Sequence, residues 1–224
     1  MASTYLTRTT GTPTLGTKCT LSFWMKINEV PGGSGTDRWI FGDYYNNSYH
    51  SYFYLRNSSE IGWYETSNGA IASLISNQLI RDVNGWYHIV IAFDTTDNTQ
   101  ADRLKLYVNG ERITSFSTNT NNISQNYEPR INHDSRTIHV GGTASYQTKF
   151  GGLLSHVHFC DGSALAPTVF GETDSTTGEW KIKTDPSFTL GNNGFTILKD
   201  GNTITDQSSN SNDFTLGGGT LTKT

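Results

Sequence analysis

Long apolar runs are missing from this 224-residue sequence. No stretch approaches the roughly 20 apolar residues that a membrane-crossing helix requires, so no membrane span is expected. Cysteine is scarce: Cys19 and Cys160 are too few for a disulfide framework, and both are expected reduced and packed. Charge is thin, at 16% of residues with a net of −4, and no basic run occurs. Nucleic acid is therefore not an expected partner, because phosphate binding needs a concentrated basic face. The opening residues MASTYLTRTT hold no apolar segment of the secretory-signal type, so synthesis in a cytoplasm is expected. Helical periodicity is also lacking over any useful length.

What the sequence has instead is alternation. In Trp86–Gly110, Tyr87, Ile89, Ile91 and Phe93 alternate with His88, Val90 and Ala92. Leu104, Leu106 and Val108 then alternate with Lys105, Tyr107 and Asn109. Period-two patterning rich in β-branched and aromatic residues predicts half-buried antiparallel strands. Between the two runs lies the polar loop Asp94–Asp102. Asn109-Gly110 suits a type I′ turn, and a third strand follows at Glu111.

Taken in order, further strands are expected at Thr4–Thr10, Cys19–Ile27, Trp39–Gly42, Tyr44–Leu55, Ile61–Tyr64, Ala70–Leu74, Thr137–Gly142, Gly152–Asp161 and Asn193–Leu198. Pro31–Gly35 reads as a flexible loop. Asn77–Gly85 could hold one helical turn, Ser117–Asn132 reads as a polar loop, and Pro167–Lys183 as irregular. Ser208–Thr224 reads as a tail of doubtful order. On strand Gly152–Asp161, Leu153, Ser155, Val157 and Phe159 are expected on one face. Many short strands with 23 glycines and no helices predict an all-β fold of two packed antiparallel sheets. The expected division is a sandwich over residues 1–165 and a C-terminal extension over 166–224.

The run TLSFWMKI (Thr20–Ile27), WYHIVIAFD (Trp86–Asp94), RLKLYVNGERI (Arg103–Ile113), IHVGG (Ile138–Gly142) and FGGLLSHVHFCDGSAL (Phe150–Leu165) resembles the concanavalin A-like jelly roll, in its laminin-G-like and pentraxin-like branch. A second set resembles a module found in structural proteins of marine tailed bacteriophages. It comprises Tyr5–Thr9, CDGSALAPTVFGETDSTTGEWKIK (Cys160–Lys183), Asn192–Asp200 and Asp206–Thr215. The likeness implies a two-sheet jelly-roll sandwich and a place on a virion, with capsid or tail proteins or sister copies as partners.

Glucanases of that superfamily carry a Glu-x-Asp-x-x-Glu run, and none occurs here. Glu60 and Glu65, five apart, fall on opposite faces of a strand, so paired-carboxylate hydrolysis is not expected. His156 and His158 have zinc spacing and share parity with Cys160, with His88 or His139 as a third ligand by tertiary placement. Polar residues on a half-exposed sheet face are the commoner account of such a pair, and no transition metal is expected. Asp94, Asp97 and Asp102 crowd one loop with the hard oxygen ligands that calcium takes, and also with ordinary turn chemistry. No other cofactor is implied.

The binding candidates are Tyr44, Tyr52, Tyr54, Trp63 and Tyr64. Their rings suit the apolar faces of sugars, and they equally suit a subunit contact or core, the commoner fate of such residues. Parity groups Tyr44, Tyr52 and Tyr54 and sets Tyr45, Tyr49 and Phe53 opposite. The expected function is a non-enzymatic, oligomeric decoration or knob protein on the surface of a phage particle made in the host cytoplasm. The alternatives are a host-surface glycan-binding module and, further off, a divergent glycan hydrolase.

Overall fold

The computed structural model describes residues 4–32, 37–144 and 149–222. Its strands are β1 (Tyr5–Thr9), β2 (Lys18–Ile27), β3 (Arg38–Asn46), β4 (Tyr49–Leu55), β5 (Glu60–Ser67), β6 (Ala70–Leu79), β7 (Tyr87–Asp94) and β8 (Leu104–Val108). They continue with β9 (Glu111–Arg112), β10 (Phe116–Asn121), β11 (Thr137–Val140), β12 (Gly152–Asp161), β13 (Gly171–Thr173), β14 (Trp180–Ile182), β15 (Phe195–Ile197) and β16 (Thr215–Gly218). Two antiparallel sheets stack face to face. One has eight strands in the order β10-β6-β5-β4-β3-β11-β1-β16, the other six in the order β15-β12-β2-β7-β8-β9.

Alternation builds the core. Leu21, Phe23 and Met25 of β2, with Ile89, Ile91 and Phe93 of β7, meet Phe41, Phe53, Trp63 and Leu74 of the larger sheet. Edge-to-face ring pairs lock the two layers together: Phe23–Phe53 at 5.5 Å and Trp63–Phe93 at 5.4 Å between centroids. The β8–β9 turn is of the expected kind, with Asn109 at φ +48° and Gly110 at φ +87°. Cys19 and Cys160 are both free and buried.

Five local expectations are corrected. Asn77–Gly85 holds no helical turn; β6 runs on to Leu79 and the rest is bend. Within Ser117–Asn132 lies most of an edge strand, β10, which pairs with β6 despite its polar sequence, because an edge strand has one side in water. The same segment ends in a 3-10 turn at Arg130–Asn132 whose three residues are buried. Pro167–Lys183 contains the β13–β14 hairpin. The last residues supply β16, which pairs with β1.

The fifth correction concerns β12. Its register against β2 shifts between Ser155 and His158, a bulge that inserts one residue. Leu154 and then Val157 and Phe159 consequently face the core, and Leu153 and Ser155 do not share their face. Most of the Pro31–Gly35 loop lies outside the described residues. After residue 165 the chain adds one strand to each sheet and lays the β13–β14 hairpin beside them.

Candidate functional site

On the outer face of the eight-stranded sheet, β3, β4 and β5 present aromatic side chains at every second position. Register places Tyr44 opposite His50, Tyr52 opposite both Gly42 and Tyr64, and Tyr54 opposite Trp39 and Gly62. The two glycines leave room for the facing tyrosines. A Cβ on Gly62 would stand 2.6 Å from Cζ of Tyr54, and one on Gly42 would stand 2.8 Å from Cβ of Tyr52. Tyr54 therefore occupies the space a side chain would take.

The rings form a continuous patch. Trp39 and Tyr52 stack at 4.3 Å, Tyr52 meets Tyr54 at 5.1 Å and Tyr64 at 5.7 Å, and His50 lies 5.5 Å from Tyr64. Trp39, His50 and Tyr54 are buried and make the floor; Tyr44, Tyr52 and Tyr64 keep part of their surface in solvent. Burial holds His50 below the ordinary histidine range, so its ring is neutral at pH 7. The same desolvation pushes the Tyr54 hydroxyl up to about 12. Elsewhere on the same sheet Arg136 lies over Tyr45 and Lys149 over Tyr5, at 5.5 and 5.6 Å. The patch is thus uncharged at its centre, apolar on the ring faces and polar at the hydroxyl tips. That combination suits sugar C–H faces.

The structure therefore brings together Tyr44, Tyr52, Tyr54 and Tyr64, and removes Trp63. The Trp63 ring is fully buried between the sheets, since its odd parity on β5 points it inward. Sequence reasoning missed Trp39 and His50. His50 was legible, because it shares parity with Tyr52; Trp39 was hidden by a register shift between Trp39 and Phe41.

Acidic residues lie elsewhere. Glu60 and Glu65 do face opposite ways, Glu65 being fully buried. Glu65 accepts bonds from Tyr127 Oη at 2.8 Å, the Arg130 backbone N–H at 2.9 Å and Trp63 Nε1 at 3.2 Å. Its inward neighbour across β4 is Asp43, which the Arg130 guanidinium grips through Nε at 3.0 Å and Nη2 at 2.9 Å. Desolvation raises both carboxyls, Glu65 to about 7. Both carboxylates are consumed in pinning the Arg130 turn to the sheet.

The loop aspartates are spent locally. Lys18 and Thr96 hold Asp94, Thr99 N–H reaches Asp97, and Arg112 and Lys105 flank Asp102. Among the described residues no group of three or more His, Cys, Asp or Glu side chains is arranged to hold a metal ion. His158 bonds Thr196 and stacks on Phe170 at 5.6 Å, and Cys160 donates to the Thr189 carbonyl. His139 belongs to the other sheet.

His88 is sandwiched between Trp24 at 4.9 Å and Trp180 at 6.0 Å on the outer face of the six-stranded sheet. Trp180 Nε1 donates to Nδ1, so His88 carries its proton on Nε2, toward Ser22 Oγ. Trp180, Phe170 and Phe188 thus cap that face with the C-terminal segment, while the tyrosine patch belongs to the opposite face of the molecule.

A family model described as Laminin_G_3, of the concanavalin A-like lectin/glucanases superfamily, matches residues 2–170. Among solved structures, the chain is similar to a Bacteroides ovatus protein described as carbohydrate-binding, at 11% identity and a TM-score of 0.57. That match covers 100% of this chain and 60% of the other. It is also similar to a heptameric pentraxin from Limulus polyphemus, at 17% identity and a TM-score of 0.50, covering 73% and 71%. No curated protein sequence matches.

Proposed function

Because the chain belongs to the concanavalin A-like lectin/glucanase superfamily, we propose that it is a non-catalytic, lectin-like module that binds glycan on the tyrosine patch. The observation that carries this reading is the contiguous array of Trp39, Tyr44, His50, Tyr52, Tyr54 and Tyr64, in which Trp39–Tyr52, Tyr52–His50 and His50–Tyr64 stack and Tyr44 and Tyr54 stand tilted or edge-on beside them. An uncharged surface of ring faces suits the side of a neutral saccharide chain. The absence of hydrolysis fits the state of Asp43 and Glu65: a glycosidase needs two carboxyls flanking the scissile bond, and these two are sealed beneath Arg130. The setting we favour is the surface of a phage particle meeting its host, supported by the resemblance of Tyr5–Thr9, Cys160–Lys183, Asn192–Asp200 and Asp206–Thr215 to phage structural modules. On that reading the C-terminal segment completes the scaffold and the patch makes the contact.

Binding to a panel of immobilised neutral polysaccharides tests the proposal. Wild type should be retained by at least one, and Tyr52→Ala and Tyr64→Ala should each weaken retention tenfold or more with melting temperature held within a few degrees. Retention that survives both substitutions sinks the assignment of the patch.

A further inference from the structure

A cavity lies between the starts of β1 and β12 and the segment that follows β15. β15 pairs with β12 only over Val157–Phe159, whereas β12 begins at Gly152 and its first half, Gly152–Ser155, faces Ile27–Trp24 of β2 on its other side. Two non-glycine residues in the left-handed region cause this. His156, in the bulge at φ +48°, donates its N–H to the Leu198 carbonyl at 3.1 Å. Leu198, at φ +58°, donates its own to Thr203 at 2.9 Å. Together they swing the chain away before it can cover the start of β12. Left-handed residues without glycine are strained, and such strain gathers at functional sites, as bulges do.

The space left is a cleft of about 350 Å³, at the small end of the range for ligand pockets. Leu6, Val140, Leu154 and Leu198 make it apolar. Trp86 stands beside it with 41% of its surface exposed, a large apolar area left in water. Exposed Asn202 and Thr222 supply an amide and a hydroxyl. The pleat of Gly152–Ser155 turns alternate backbone N–H and C=O groups away from β2, toward the same space. No Asp, Glu, Lys or Arg is among the described residues that line it. The lining itself offers a charged ligand no counter-ion, Lys149 lying over the ring of the lining Tyr5, and a wholly apolar ligand would leave the backbone groups unpaired.

We infer that this cleft is a binding site for a single neutral, hydroxyl-bearing ring of monosaccharide size, seated with one face against Trp86. The choice of a sugar among neutral polyols rests on the glycan reading above; the site itself does not use the tyrosine patch.

Amide and indole NMR spectra recorded with methyl α-D-glucopyranoside, methyl β-D-galactopyranoside and methyl α-L-rhamnopyranoside test it, with N-acetylneuraminic acid as the charged control. At least one neutral glycoside should shift the Trp86 indole and the Leu198, Gly201 and Asn202 amides to saturation. Followed at Gly201, that binding should weaken at least tenfold in Trp86→Ala and severalfold in Asn202→Ala, and persist in Tyr52→Ala. No shift with any neutral glycoside, shifts with the charged sugar alone, or shifts untouched by Trp86→Ala overturn the inference. Loss of polysaccharide retention with the cleft shifts intact would instead remove only the reading of the patch.

Discussion

Lowering the pH from 7 to 5 should destabilise this fold, and its three most strongly depressed histidines set most of the amount. His88, His158 and His139 are buried, and desolvation depresses them to about 3, about 3 and about 4. An unfolded histidine titrates near 6.5. Their contribution is therefore complete above that value and is lost as the pH falls toward the folded values, because only the unfolded chain takes up the proton. At pH 5 each histidine has given up about 2 kcal/mol, or roughly 6 kcal/mol for the three. Glu65 works the other way. Its carboxyl is raised by burial to about 7, so it opposes folding above that value and ceases to as the pH falls. Between pH 7 and 5 this returns about 2 kcal/mol. The net loss is about 4 kcal/mol, a large part of the ~5–15 kcal/mol that holds a domain together. With a urea slope of about 2–3 kcal/mol per molar, the midpoint should drop by roughly 1–2 M. Glu65→Gln should deepen the drop to roughly 6 kcal/mol, and His88→Gln should shrink it by about 2. A midpoint that is level or rises between pH 7 and 5 refutes the reasoning, as does a His88 resonance titrating near 6.5.

Two further predictions concern packing. Trp63→Ala should cost about 3–5 kcal/mol, because the ring is fully buried against Phe93 and leaves a void between the sheets; chemical denaturation reads it. Gly62→Ala should cost about 1–3 kcal/mol and lower saccharide retention together, since its methyl displaces the Tyr54 ring; an unchanged melting temperature would show that the ring yields freely.

The meander from Tyr87 to Arg112 was legible because period two is written in its residues: β8 alternates core and wet positions, and β7, though covered on both faces, keeps Ile89, Ile91 and Phe93 on one parity. Tyr44, Tyr52 and Tyr54 were legible for the same reason, as residues of one parity. Bulges erase that record. The extra residue at His156 reverses the faces of β12, and nothing in GLLSHVHFCD marks where. β10 was illegible for another reason: an edge strand with few buried side chains, FSTNTN, has little apolar pattern to read. The hold of Arg130 on Asp43, and the seat of Glu65, depend on residues 65 to 87 positions apart, which no local pattern records.

The first and last strands lie side by side: β1 and β16 pair, Thr7 and Thr215 touch through their hydroxyls, and Thr4 bonds the Thr220 carbonyl. The stretch from Thr4 to Thr220 is thus nearly a closed loop in space. A short peptide bridging those two neighbours would leave every sheet hydrogen bond in place, and new termini could be cut at the exposed Asn68-Gly69 corner. The sandwich can be re-ordered along its sequence without being redrawn in three dimensions.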